Sequence, residues 1–355
     1  MRQPPLSQRL LAGVGTILLF AGLSLSGCTV PATPATSPQQ APAATSPTAV
    51  QALPSWRDGA ARQALIKFVA DVTTPGTSSY VPPEARIAVF DNDGTLWSEQ
   101  PMYFQIAFLL DQVKAAASKH PEWRSNPTYK ALIANDMAGV MRDQKALLAL
   151  IAAANSGMTV DEYDRTIRDW LATARHPKFN RPYTELVFQP QLELLSYLRA
   201  NGFKTYIVSG GTIDFMRPWS QAVYGIPPEQ VIGSSQAVRY TVQDGKPVLL
   251  REPKLDFIDD GPGKPVGIYR HIGRRPILAV GNSDGDFQML EYTMGGDGPR
   301  LGVLIHHDDA EREFAYDRAS HFGKLDKALD AARDKGWSVV SMKQDWQQIY
   351  PTLGR

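Results

Sequence analysis

The sequence predicts an α/β fold: a doubly wound, mainly parallel sheet with an inserted all-helical segment. Three observations predict it. Short apolar runs at Arg86–Phe90, Lys204–Val208 and Pro276–Val280 each end in a polar or glycine-rich turn, as buried strands do. Helical patterns separate these runs, the arrangement that parallel pairing with right-handed crossovers requires. From Pro101 to about Pro182 the signals are helical, with no strand pattern among them.

The N-terminus reads as an export signal. Arg2 and Arg9 precede the apolar run Leu10–Leu25, and small residues follow it. That run is shorter than the roughly 20 residues a spanning helix needs. Leu25-Ser26-Gly27-Cys28 resembles the lipobox of bacterial lipoproteins, which implies removal of residues 1–27 and lipidation of Cys28. Cys28 is the single cysteine of the chain, so no disulfide is expected. One acyl chain holds a membrane only marginally, at about 0.8 kcal/mol per buried CH₂, so stable anchoring implies more than one. Residues 28–55 are rich in Pro, Ala, Thr, Ser and Gln and read as an extended tether. The expected location is the cell envelope, facing the periplasm or exterior, and Thr29 in place of Asp points to the outer membrane. With Lys+Arg 37 against Asp+Glu 36 and no block of like charge, nothing suggests nucleic acid as a partner.

The folded part is expected to begin near Trp56, leaving about 300 residues for structure. Arg86–Phe90 is the first core strand. Within the helical stretch, Pro101 and Pro127 look like first-turn prolines, and Thr159-x-x-Glu162 reads as a capping box ahead of Tyr163–Ala174. Leu192–Ala200 is an amphipathic helix stopped by Asn201-Gly202, and Lys204–Val208 is the second strand. Strand and helix patterns recur at Val231–Ile232, Lys264–Ile272, Pro276–Val280 and Leu301–Ile305. Ala237–Thr241 and Pro247–Leu250 flank Asp244-Gly245 and read as an appended hairpin. The expected division is a core of residues 56–98 and 183–355 with residues 99–182 inserted as a helical lobe.

In open sheets of this kind ligands sit beyond the carboxyl ends of the strands. After the first strand stands Asp91-Asn92-Asp93-Gly94-Thr95-Leu96, two carboxylates able to take different roles if a cation fixes one as charged. After the second stands Ser209-Gly210-Gly211-Thr212, a hydroxyl and main-chain N–H groups suited to phosphate oxygens. Lys264 opens a later helix. After the third strand comes Gly281-Asn282-Ser283-Asp284-Gly285-Asp286, oxygen donors of the kind magnesium prefers.

These four pieces, in this order, resemble the haloacid dehalogenase superfamily, and the helical stretch resembles the C1 cap of its phosphoserine phosphatase-like branch. The resemblance runs from about Arg86 to about Ile305 and implies a Rossmann-like core. It implies Asp91 as the nucleophile that becomes an aspartyl-phosphate, and Asp93 as the acid that protonates the leaving group and then activates water. Ser209 and the Gly210 N–H would hold phosphoryl oxygens, and Lys264 would neutralise their charge. Mg²⁺ would be held by Asp91, the Asp93 carbonyl, Asn282 and, through water, Asp286. The implied partner is a small phosphorylated metabolite.

Two departures stand out. Gly281-Asn282 replaces the usual Gly-Asp, which removes one negative charge; Asp284 is the alternative carboxylate. Gln100 occupies the place, nine residues after the nucleophile, of the Glu that reads phosphoserine, with Glu99 just before it, so phosphoserine itself is not implied. Lys254 is the rival for the role of Lys264. His306-His307-Asp308-Asp309 invites a metal reading, but neighbouring residues on a strand point to opposite sides. Arg175, Lys178 and Arg181 form either a solvated basic loop or a surface for an anionic substrate. Trp97, Tyr103 and Phe104 are expected to pack the helical lobe. The competing functions are phosphoryl transfer to an acceptor other than water, carbon–halogen hydrolysis, for which Asp93 has no use, and a non-catalytic envelope lipoprotein that keeps the fold for binding.

Overall fold

The computed structural model describes residues 52–352 apart from residue 156. The export signal, Cys28 and most of the tether lie outside the described residues. In chain order the elements are α1 (Ala60–Thr73), β1 (Ile87–Phe90), α2 (Phe104–Ala116), α3 (Pro127–Ile133), α4 (Met137–Arg142), α5 (Gln144–Ala154), α6 (Val160–Thr173) and α7 (Gln189–Ala200). There follow β2 (Lys204–Thr212), α8 (Ile213–Tyr224), β3 (Val231–Gln243), β4 (Lys246–Phe257), α9 (Gly263–Ile272), β5 (Leu278–Gly281) and α10 (Phe287–Met294). The chain ends with β6 (Leu301–Asp308), β7 (Ala315–Tyr316), α11 (Lys327–Ala332), β8 (Ser338–Ser341) and α12 (Met342–Asp345).

Among the described residues the strands form one sheet in the order β4-β3-β2-β1-β5-β6-β7, with β8 also paired to β6. The β1–β2, β1–β5, β2–β3, β5–β6 and β6–β8 pairs are parallel, and β3–β4 and β6–β7 are antiparallel. Side chains alternate between two apolar clusters, one on each face. On β1, Ala88 and Phe90 join one cluster while Ile87 and Val89 join the other; on β5, Leu278 and Val280 oppose Ala279 in the same way. A strand covered on both faces needs apolar residues at every position, which is why these runs read as unbroken.

The helical stretch packs in two directions. Leu110 and Val113 of α2, Tyr129 and Leu132 of α3, and Leu147 and Leu150 of α5 make a small core of their own. Phe104 and Phe108 of α2 and Ile167 and Trp170 of α6 instead join the main core, where Phe108 meets Phe215 of α8 at 5.5 Å between ring centroids. The expected lobe is thus continuous with the core of the sheet, inside one compact unit. Helix α6 begins on the anticipated capping box: the Glu162 N–H donates to Thr159 Oγ1 at 3.2 Å, and the Thr159 N–H donates to Glu162 Oε2 at 2.8 Å. Its buried Tyr163, Ile167, Trp170 and Leu171 follow one face of the helix.

Three boundaries differ from expectation. Ser55 donates through its N–H and hydroxyl to the Glu193 carboxylate, and Leu53 is buried, so the folded part starts by Ala52 rather than at Trp56. Pro127 does open a helix, but Pro101 lies in the loop ahead of α2. The hairpin is not appended, because β3 runs unbroken from the core to its turn at Asp244 and Gly245, both in the left-handed region. Alternation fades along its outer half, where Val238, Tyr240 and Val242 are exposed. Helix α1 and the segments β7 to α12 went unread in the sequence. Among the described residues no helix is long and apolar enough to cross a membrane.

Candidate active site

The order β2-β1-β5 sets three strand ends side by side. It thereby joins segments that lie more than a hundred residues apart in one direction and almost two hundred in the other. A cavity of about 330 Å³ opens there, lined by Asp91, Asp93, Ser209, Gly210 and Lys264, with Tyr103, Gln105, Ile106 and Leu109 contributed by the helical stretch.

Lys264 is buried and donates from Nζ to Asp91 Oδ1 at 2.6 Å, to Asp286 Oδ1 at 2.6 Å and to the Val208 carbonyl at 3.0 Å. It is no solvated helix-start residue. Lys254 is exposed on β4. Burial opposes the Lys264 charge, but the carboxylates of Asp286 and Asp91 outweigh it and hold the ammonium above its ordinary value. Burial, then Asp286, push Asp91 well above the usual carboxylate range against the pull of Lys264. Asp93 is raised to about 6 by burial, opposed by a hydrogen bond from Trp97 Nε1 to its Oδ1 at 2.8 Å and by Lys264. Trp97 packs as expected against Phe104 of the helical stretch, at 4.6 Å between ring centroids, stacks on Trp219 of α8 at 4.3 Å, and also holds the second carboxylate.

Ser209 is buried at the cavity wall, its hydroxyl accepting from the Gly211 N–H at 3.1 Å. The β2–β3 register shifts between Ser209 and Thr212, which breaks the ladder at the cavity wall. Both oxygens of Asp286 are engaged: Oδ1 takes Lys264, and Oδ2 takes the N–H groups of Asn282 at 2.9 Å and Ser283 at 3.1 Å. Asp284 Oδ1 accepts from the N–H groups of Asp326 and Ala328, which commits it to the start of α11 and away from the cavity. The Asn282 amide lies behind Asp91: its Oδ1 accepts from the Thr95 hydroxyl at 2.9 Å, and that hydroxyl stands 3.5 Å from Asp91 Oδ2.

Three residues stand at the site in roles that the sequence did not assign to them. Glu99 is buried against the Asn282 amide, His307 supports the turn of the first motif, and Tyr224 donates its hydroxyl to Asn92 Oδ1 at 3.1 Å. His307 Nε2 lies 2.7 Å from the Gly94 carbonyl and its Nδ1 3.3 Å from Glu313, both side chains fully buried; His306 turns the other way, toward Asp317. Gly94 has φ 74°, and a Cβ there would lie 2.1 Å from Asn282 Nδ2, so only glycine fits this turn. Gln100 is used up by Ser320 and Phe322. Arg175, Lys178 and Arg181 bond to Ala174, Glu313 and Glu185 and do not line the cavity.

The strand order, the three aligned motifs and the buried lysine agree with a match of residues 88–291 to the haloacid dehalogenase-like hydrolases. The chain belongs to that family. It is a hydrolase of α/β fold class with its cavity at the carboxyl ends of β1, β2 and β5. Similar solved structures include a conserved protein of unknown function from Anaerococcus prevotii, at 17% identity over 77% of this chain and 88% of that one, with a TM-score of 0.46. A protein of unknown function from Bordetella pertussis shares 16% identity over 72% and 97% of the two chains, with a TM-score of 0.46. A phosphoserine phosphohydrolase-like protein from Francisella tularensis shares 17% over 62% and 88%, with a TM-score of 0.34. A search of curated proteins found no match.

The carboxylate and hydroxyl groups facing this hydrolase's cavity are hard oxygen donors. Asp91, Asp93, Glu99 and Asp260 line the cavity and Asp286 lies buried behind it, around one ammonium, that of Lys264. That surplus of negative charge fits a dication. Among the described residues no group of three or more His, Cys, Asp or Glu is arranged to hold a metal. A cation here would therefore draw on a mixed set of carboxylate, main-chain carbonyl and amide oxygens.

Proposed function

We propose that this hydrolase cleaves phosphomonoesters through an aspartyl-phosphate on Asp91. One observation carries the reading: Asp91 and Asp93 share a cavity in which Lys264 grips Asp91 Oδ1 at 2.6 Å while Asp93 is held near a pKa of about 6. The grip leaves Asp91 Oδ2 as the attacking oxygen. As it bonds to phosphorus, the ester P–O bond breaks, its electron pair stays with the alcohol oxygen, and that oxygen takes the proton of Asp93. A water then gives a proton to Asp93 and attacks the phosphorus, releasing inorganic phosphate and restoring both carboxyl groups. Ser209 and the Gly210 N–H hold phosphoryl oxygens, and Lys264 offsets the repulsion between carboxylate and phosphate.

Mg²⁺ would be held by Asp91, the Asp93 carbonyl and Asn282, with Asp286 reached through water, and when bound it supplies charge stabilisation to the phosphoryl oxygens. Residues 99–182 act in this reading as the cap that selects a small phosphorylated metabolite. Lipidation of Cys28 would hold the enzyme in the cell envelope, and Cys28→Ala is expected to shift it from the membrane to the soluble fraction.

The test is p-nitrophenyl phosphate turnover by a fragment beginning at Ser46, with Mg²⁺ or with chelator, beside Asp91→Asn. Metal-dependent release that the substitution abolishes is the expected result. Equal turnover by both proteins would refute the nucleophile, and none by either would favour a binding role.

A further inference from the structure

The replacement of the usual acid by Asn282 is matched by a second departure that only the structure joins to it. Glu99 lies eight residues after the nucleophile, yet its side chain ends on Asn282: Glu99 Oε1 accepts from Asn282 Nδ2 at 2.7 Å and from the Tyr316 hydroxyl at 2.8 Å. Glu99 is 1% exposed. It is held between two glycines, since a Cβ on Gly94 or Gly323 would fall 2.3 or 1.8 Å from that same oxygen. The two glycines thus leave the space this carboxylate occupies, with the Asn282 amide and the Tyr316 hydroxyl fixing it there.

An amide has one accepting end and one donating end, whereas a carboxylate has two accepting ends. An acceptor fixed on one side of Asn282 must draw the NH₂ group toward itself and turn the oxygen the other way. That oxygen faces the Thr95 hydroxyl and, beyond it, Asp91 Oδ2. We propose that Glu99 is a positioning residue that aims the Asn282 amide oxygen at the cation site beside Asp91, and that Glu99 and Asn282 form a coupled pair. The inference rests on the reading of Asn282 as a cation ligand. Its converse is equally definite. A carboxylate in place of the amide needs no aiming, and it would set a second buried acceptor against Glu99, so in this chain the usual acid and Glu99 exclude one another.

The test is a cycle of four full-length proteins: wild type, Glu99→Met, Asn282→Asp and the double variant. Two quantities are measured, the unfolding midpoint in chelator and the Mg²⁺ affinity by calorimetry. With Asn282 present, Glu99→Met is expected to weaken Mg²⁺ binding about 10- to 100-fold, the usual effect of losing a group that orients a metal ligand. In the Asn282→Asp background, the same substitution is expected to tighten it. Asn282→Asp alone should lower the midpoint in chelator, and adding Glu99→Met should restore it. This reversal of sign separates aiming from a general structural contribution, which would cost the same in both backgrounds.

If Glu99→Met does not fold, Glu99→Gln carries the test, because its amide oxygen can still accept from Asn282 and its NH₂ can donate to the carboxylate that Asn282→Asp introduces. It should bind Mg²⁺ within about threefold of wild type and restore the midpoint of Asn282→Asp. Equal effects of the Glu99 substitution in both backgrounds overturn the coupled pair. Absence of Mg²⁺ binding by the wild type overturns instead the cation reading beneath it.

Discussion

Lys264→Met tests the electrostatic centre of the site. The side chain is 2% exposed and makes three hydrogen bonds, two of them to carboxylates at 2.6 Å. Methionine is similar in length and apolar, so the substitution leaves the packing largely in place and removes the charge. Asp91 and Asp286 then face each other without a counter-ion in a buried space. Removing one partner of a buried ion pair costs about 3–5 kcal/mol, a large share of the roughly 5–15 kcal/mol that holds a domain together. The assay is urea unfolding followed by tryptophan fluorescence, in chelator at pH 7.5. The expected loss lies in that range, and Asp91→Asn in the same background should return part of it. The loss should also shrink toward pH 5. Burial and Asp286 raise Asp91 even against the pull of the ammonium, so without it the penalty builds as pH rises toward the folded Asp91 value and fades as Asp91 protonates. Turnover should fall by at least about 10²- to 10³-fold. A stability loss below about 1 kcal/mol would refute the claim that this ammonium is what makes the paired carboxylates tolerable.

Three further outcomes follow from the same geometry. Trp97→Phe keeps the aromatic packing but removes the N–H that stabilises the ionised form of Asp93, so the alkaline limb of the pH–rate profile should move upward from about 6; an unchanged limb would separate Trp97 from the acid. In chelator, the midpoint of the wild type should fall as pH rises from about 4 to about 6, because Asp93 titrates near 6 when folded and near the ordinary 3.8 when unfolded, a linkage worth at most about 3 kcal/mol. Mg²⁺ should flatten that slope, and a rising midpoint over the window would contradict the direction of the shift. A fragment starting at Trp56 should melt below one starting at Ser46, since it lacks the buried Leu53 and the Ser55 bonds to Glu193, the former alone worth about 2–5 kcal/mol; equal midpoints would return the boundary to Trp56.

The strands that carry the motifs were legible because each is covered on both faces, which forces a run such as Ile87–Phe90 to be apolar throughout and to stop where the chain emerges at the cavity. The α6 start was legible for a comparable reason: a capping box is satisfied within four residues, and Thr159 and Glu162 form it in the folded chain. The outer hairpin was divided because its exposed half, from Val238 onward, obeys no inside–outside rule. The sequence places Ala52 to Ser55 in the tether because the partner of Ser55, Glu193, lies 138 residues away and no local pattern announces it.

The sequence alone determined the chemistry on offer: two acids after one strand, a hydroxyl and glycines after another, a lysine and a run of oxygen donors. These groups are written into contiguous motifs whose turns are local. Only the tertiary structure decided which partners they meet. It set Lys264 between Asp91 and Asp286, Trp97 on Asp93, His307 under Gly94 and Glu99 against Asn282. The reason is physical: hydrogen bonds and charge pairs act over a few ångströms, and which residues come within that reach is set by strand order and layer packing, not by their separation along the chain.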